Sequence, residues 1–139
     1  MRQQKIAQIN MNIYITAILL LLSFNAIAQK QELEKDTLFI KYDDSLLTKF
    51  QYTEDNNIYY KIKGTGKRDD FVYLLEQKFY RKLKSKKIQC LKKVLIKSNS
   101  YIEKDKLSDW KLAEYLSKYL IFLVKENNYI KVQVVYAIE

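Results

Sequence analysis

The feature that most constrains this chain is its first 28 residues, because they read as a leader removed before the rest folds. Arg2 and Lys5 supply a positive start, Ile13 to Phe24 form an almost unbroken apolar run, and Ala26-Ile27-Ala28 gives the small-x-small pattern that signal peptidases cut. Cleavage between Ala28 and Gln29 is expected, with export to the periplasm or beyond the cell. The competing reading is an uncleaved membrane anchor. Ile13 to Ala28 spans only 16 residues, broken by Thr16, Ser23 and Asn25, whereas a spanning helix wants about 20 apolar ones. The mature chain is therefore expected to carry no transmembrane span. No Cys follows the small residues, so a lipoprotein-type anchor lacks its attachment atom. A start at Met11 would discard both early charges and leave the same mature protein.

From Gln29 onward 111 residues remain, enough for one core and too few for two. Residues 29 to 36 read as a flexible polar tether and residues 37 to 139 as a single domain. Cys90 is the only cysteine, so no disulfide can form within the chain. A free thiol behaves as a small hydrophobe, and burial of Cys90 is expected.

The chain contains no His. That excludes Ser-His-Asp and Cys-His nucleophile arrangements and, with a single Cys, the usual zinc sites. The pairs Asp43-Asp44, Glu54-Asp55 and Asp69-Asp70 lack the alternate spacing of a calcium loop and read as solvated turns. Gly64-Thr65-Gly66-Lys67 has glycines too close together for a phosphate loop, and Arg68 stands where a metal-binding hydroxyl would be needed. A plain turn is expected there. Two carboxylates could run glycoside hydrolysis, but nothing singles out a pair. The expectation is a non-enzymatic domain with no cofactor, no catalytic residues and no metal.

Raw Lys and Tyr counts prove little, because AT-rich codons enrich Lys, Ile, Tyr and Asn without functional pressure. The placement of charge along the chain is more telling. Residues 29 to 77 carry eight basic and ten acidic side chains, and residues 98 to 139 carry six of each. Between them Lys78, Arg81, Lys82, Lys84, Lys86, Lys87, Lys92, Lys93 and Lys97 contribute nine positive charges and no acid.

Hydrophobic periodicity outlines the elements. Thr37 to Tyr42 has strand composition. Lys49 to Thr53 alternates, with Phe50 and Tyr52 on one face, and the turn residues Asp55-Asn56-Asn57 lead into Ile58, Tyr60 and Ile62 at period two, predicting a hairpin. Phe71 to Leu75 is a continuous apolar run, as in a central strand covered on both faces. Ile88, Leu91, Val94 and Leu95 recur at helical spacing, with Asn99 placed to end the helix. Ser108 can cap a second helix, with Asp109 in its first turn, a hydrophobic staple of Leu107 and Leu112, and a stripe of Leu112, Tyr115, Leu116, Tyr119 and Leu120.

Ile121 to Lys125 and Tyr129 to Ile138 predict a closing hairpin around Asn127-Asn128. A two-residue loop pairs Ile121 and Leu123 with Val134 and Val132, and a three-residue loop puts Phe122 opposite Val132; the pattern leaves this open. The order β-β-β-β-α-α-β-β predicts an α+β domain with two short helices on one face of a mainly antiparallel sheet.

The basic segment is the one functional signal above background. On the predicted helix Lys92, Lys93 and Lys97 lie within about 140°, opposite Leu91 and Leu95, with Lys82, Lys84, Lys86 and Lys87 in the connection before it. Any amphipathic helix has a solvated face, so the bland reading is ordinary surface. The functional reading is a site for a polyanion such as lipid phosphate, acidic polysaccharide or extracellular nucleic acid. Lys in place of Arg suits loose attraction better than bidentate recognition.

Tyr52, Tyr59, Tyr60 and Tyr73 raise a second possibility, rings that stack on sugars or pack on a protein. Of these, Tyr60 is in phase with the core and Tyr59 with the surface. Trp110 is expected in the core, as large aromatics are highly buried on average. The leading expectation is an exported domain with a binding or structural role in the bacterial cell envelope. Its partner would be an envelope polyanion or a secreted protein that it inhibits or assists, and not intracellular nucleic acid.

Overall fold

The computed structural model describes residues 35–84 and 87–139. The leader, the tether up to Glu34 and Lys86 lie outside the described residues.

Among the described residues, alternating side chains build a seven-stranded sheet. In chain order its strands are β1 (Asp36–Lys41), β2 (Leu47–Gln51), β3 (Ile58–Ile62), β4 (Asp70–Tyr80), β5 (Ile88–Cys90), β8 (Tyr119–Lys125) and β9 (Asn128–Ile138). Helix α1 (Leu91–Lys97) follows β5 directly. A small separate hairpin, β6 (Tyr101–Glu103) and β7 (Lys106–Leu107), precedes helix α2 (Asp109–Leu116). The spatial order is β2-β3-β4-β9-β8-β1-β5. Every pairing is antiparallel except two: β1 runs parallel to both β8 and β5. The fold is α+β.

The element order differs from expectation by three short strands. β5, β6 and β7 hold three, three and two residues, too few to display a period. They exist because neighbouring chain offers backbone partners, the longer β1 to β5, and β6 and β7 to each other.

One face of the sheet carries the main core. Leu38 and Ile40, Leu47, Tyr60 and Ile62, Val72 and Leu74, Ile121 and Leu123, and Ile130 and Val132 form one buried cluster with helix residues Leu91, Val94, Leu95, Leu112, Ala113 and Leu116. Both helices therefore cover this inner face. Helix α1 exists because Leu91, Val94 and Leu95 fall on one stripe. It ends at Ser98, after which Asn99 turns left-handed with φ 52, as the sequence predicted. Ile88 belongs to β5 instead and is exposed.

The hairpin β2–β3 pairs Leu47 with Ile62 and Gln51 with Ile58, and Tyr60 is buried as expected. Strand β4 is internal, but among the described residues it is not covered by a layer on each side. Val72 and Leu74 are buried inward, while Phe71, Tyr73 and Leu75 are half-buried outward. The outward rings cover one another. Phe50, Tyr52, Tyr59, Phe71 and Tyr73 form a contiguous cluster with centroid separations from 5.4 to 6.3 Å. A second small outer cluster holds Phe39, Phe122 and Val124, with Tyr80, Leu83, Leu120 and Tyr129 packed against it. Tyr80 reaches it because the β4–β9 register shifts between Glu76 and Lys78. The shift makes Gln77 an extra residue and inverts the in-out alternation beyond it.

The closing hairpin takes neither anticipated register. Lys125 pairs with Asn128, Leu123 with Ile130 and Ile121 with Val132. Its loop is thus Glu126-Asn127, with Glu126 at φ 55. The turn sits one residue earlier than Asn127-Asn128 suggested, and the buried face is that of the two-residue alternative. Helix α2 begins at the predicted cap, where Ser108 Oγ accepts from Lys111 N–H at 3.5 Å, and Leu107 and Leu112 are both buried in the core. It stops at Leu116, with Ser117 Oγ donating to Ala113 O at 2.6 Å. Tyr119 and Leu120 belong to β8, where the strand-forming run starts. Trp110 is 54% exposed, against expectation. The inward position beside it is occupied by Asp109.

Candidate anion-binding groove

The three parallel strands β5, β1 and β8 end side by side, with Lys41 opposite both Cys90 and Val124. An open groove of about 750 Å³ runs along β5 and past the ends of β1 and β8. Among the described residues four lysines line it: Lys41 from the end of β1, Lys87 just before β5, and Lys93 and Lys97 from α1. Glu126, from the β8–β9 loop, is its one acidic lining residue among those described, and Ile88, Cys90 and Val124 give it an apolar floor.

Local structure explains the convergence. Lys93 and Lys97 are one helical turn apart and share a face, and all four lysines are exposed. Lys97 is held over the sheet edge by donating from Nζ to Gln89 Oε1 at 2.9 Å. Being in the last turn of α1, it also faces the negative end of the helix dipole. An adjoining recess of about 490 Å³ shares Lys41 and Cys90 and is bordered by Asp43, Asp44 and Ser45. There Asp43 accepts from both Ser45 Oγ (2.5 Å) and Ser45 N–H (2.9 Å), bonds that hold its carboxyl below the usual carboxylate range. The positive field of the groove is thus bounded on one side by a negative loop. Lys125 spans that boundary, 4.6 Å from the Tyr42 ring centroid and 3.9 Å from Asp44.

The structure divides the lysines anticipated from sequence. Lys87, Lys93 and Lys97 come together. Lys82, Lys84 and Lys92 are exposed but do not line the groove, and Lys86 is not described. Lys41, which the sequence reading missed, completes the set. It lies far from the basic run in sequence, and only the parallel β1–β5 pairing brings it there. Cys90 is exposed, a correction to the expected buried thiol. It ends the sheet's terminal strand on the outer face, in line with Lys41, and lines both the groove and the recess.

A second polar centre lies at the N-terminal end of α2. Asp109 is 2% exposed. Its carboxylate accepts from Gly66 N–H at 2.9 Å to each oxygen and from Val72 N–H at 2.9 Å. Burial raises its pKa against the opposing pull of these bonds, and nearby Asp70 adds to the rise. Gly66 takes φ 69 and Gly64 φ 95, and a Cβ on Gly64 would lie 2.8 Å from Asp105 O. Gly64-Thr65-Gly66 is therefore a turn, as expected, and Asp109 ties it to β4. Tyr60 Oη donates to Glu76 at 2.6 Å, and burial and that bond push its phenol well above the ordinary range. Both carboxylates serve internal hydrogen bonds.

Comparison with known proteins returned no matching family model, curated protein or solved structure.

Proposed function

We propose that this chain is a small exported, non-enzymatic domain of the bacterial cell envelope that binds a polyanion through the lysine groove. One observation carries the reading: Lys41 and the segment holding Lys87, Lys93 and Lys97 are far apart in the chain yet line one groove, with Glu126 its single acid among the described residues. A solvated helix face would account for Lys93 and Lys97 alone. Export rests on Arg2, Lys5, the apolar run to Phe24 and the Ala28–Gln29 junction, and it would put lipid phosphates and acidic polysaccharides within reach of the groove.

The test is retention of the protein, starting at Gln29, on immobilised heparin. With about four counterions released, affinity should fall roughly a hundredfold between about 50 and 200 mM salt. The variant K41Q/K87Q/K93Q/K97Q should lose retention. The equally charged K49Q/K104Q/K111Q/K118Q, altered only at exposed lysines elsewhere, should keep most of it. Equal loss in both variants would reduce the effect to net charge and sink the proposal.

A second reading is favoured by the outer ring cluster of Phe50, Tyr52, Tyr59, Phe71 and Tyr73, in which Tyr52 is 49% exposed. It makes the domain an inhibitor or accessory subunit of a secreted protein, bound through apolar contact that salt leaves intact.

A further inference from the structure

Strand β5 ends the sheet. Its one neighbour is β1, and among the described residues no backbone hydrogen bond joins its far side to another element. A terminal strand presents a row of N–H and C=O groups that can take on another strand. This edge has a second property, which is that the lysine groove runs alongside it.

We propose that the occupant of the groove is an extended acidic peptide segment that adds to β5 as a further strand of the sheet. The inference rests on the groove being an anion site and names its ligand. Charge complementarity selects the partner. Lys87, Lys93 and Lys97 beside the edge repel a second copy of the same edge, the usual means by which lysine protects terminal strands, and attract a strand carrying carboxylates. Pairing geometry refines the choice. Ile88 and Cys90 face outward in line with Phe39 and Lys41, while Gln89 points to the helix side, where Lys97 is bonded to it. An added strand alternates in the same way. Side chains on one face would meet Lys93 and Lys97, and those on the other would meet the exposed Ile88 and the apolar floor. The preferred segment therefore alternates acidic and β-branched apolar residues. Backbone pairing supplies affinity and alternation supplies specificity, as in other cases of strand addition.

The experiment titrates the protein with a short peptide alternating Glu and Val. Three probes accompany it: the same peptide N-methylated throughout its backbone, a peptide of equal composition with Glu and Val in two blocks, and heparin. The alternating peptide is expected to bind and to slow amide hydrogen exchange within Ile88–Cys90, at the amides that face the open edge. N-methylation, which leaves every charge in place and removes the donors, should weaken binding by about tenfold or more. The block peptide should also bind more weakly, and K41Q/K87Q/K93Q/K97Q, with its fold checked by circular dichroism, should lose the alternating one.

Equal binding of the methylated peptide would overturn strand addition while leaving the groove an anion site. Binding of heparin with neither peptide would do the same. Failure of heparin and peptides together would overturn both the strand and the anion-binding reading.

Discussion

At the residue scale Asp109 carries the most structural responsibility. A buried carboxylate without partners would be expelled or neutralised, and this one is retained because three contacts from two backbone N–H groups hold it. Its raised pKa fixes the sign of a pH effect. The folded protein binds this proton more readily than the unfolded chain, so the contribution of Asp109 to stability is greatest below the ordinary Asp value, near about 3.9. It declines as pH rises through the folded pKa. Asp109→Asn should cost about 1–3 kcal/mol, since an amide hydrogen would face backbone donors. The stability gap between wild type and variant, from urea unfolding, should widen as pH falls toward that region. A gap that widens with rising pH would contradict the assignment. In the sequence Asp109 was legible as a first-turn acid but not as a tie. An acid at the start of a helix is ordinarily solvated, and its partners Gly66 and Val72 are brought close only by tertiary packing.

At the scale of elements, the two faces of α2 make opposite predictions. Leu112 is fully buried while Trp110 is 54% exposed. Leu112→Ala should therefore cost about 2–5 kcal/mol, and Trp110→Ala should stay within about 0.5 kcal/mol, both read from urea midpoints at constant m. The reverse order would place the ring in the core after all. Elements whose own side chains alternate or form a stripe were legible in the sequence: the β2–β3 hairpin, the C-terminal end of α1 and the N-cap of α2, the inward set Ile58-Tyr60-Ile62. Elements that depend on a distant partner were not. β5 has three residues and no period of its own. The closing turn moved by one residue because pairing of the long strands β8 and β9 outweighed the turn preference of Asn127-Asn128.

At the scale of the whole molecule, the parallel placement of β1 between β8 and β5 is the organising fact. It joins the first strand of the domain to residues 119 to 124. Such distant pairing is slow to form, and refolding should occupy the millisecond-to-second range. The chain has no Pro, so refolding should lack a phase of tens of seconds that prolyl isomerase accelerates. Stopped-flow refolding from urea with and without the isomerase checks this. The same pairing explains why the candidate groove was only partly legible. A run of lysines is visible in sequence, whereas Lys41 reaches it through a crossover that no local pattern announces.

The extra residue at Gln77 has a consequence for how much a single strand can do. An unbroken β4 would keep its later side chains in step with Val72 and Leu74, leaving Tyr80 pointed toward the helices. The offset acts as a half-period phase shift, so one strand of 11 residues anchors the helix-covered core with its first half and the outer Phe39–Phe122 cluster with its second. A one-residue deletion there would be a change of face, not merely of length.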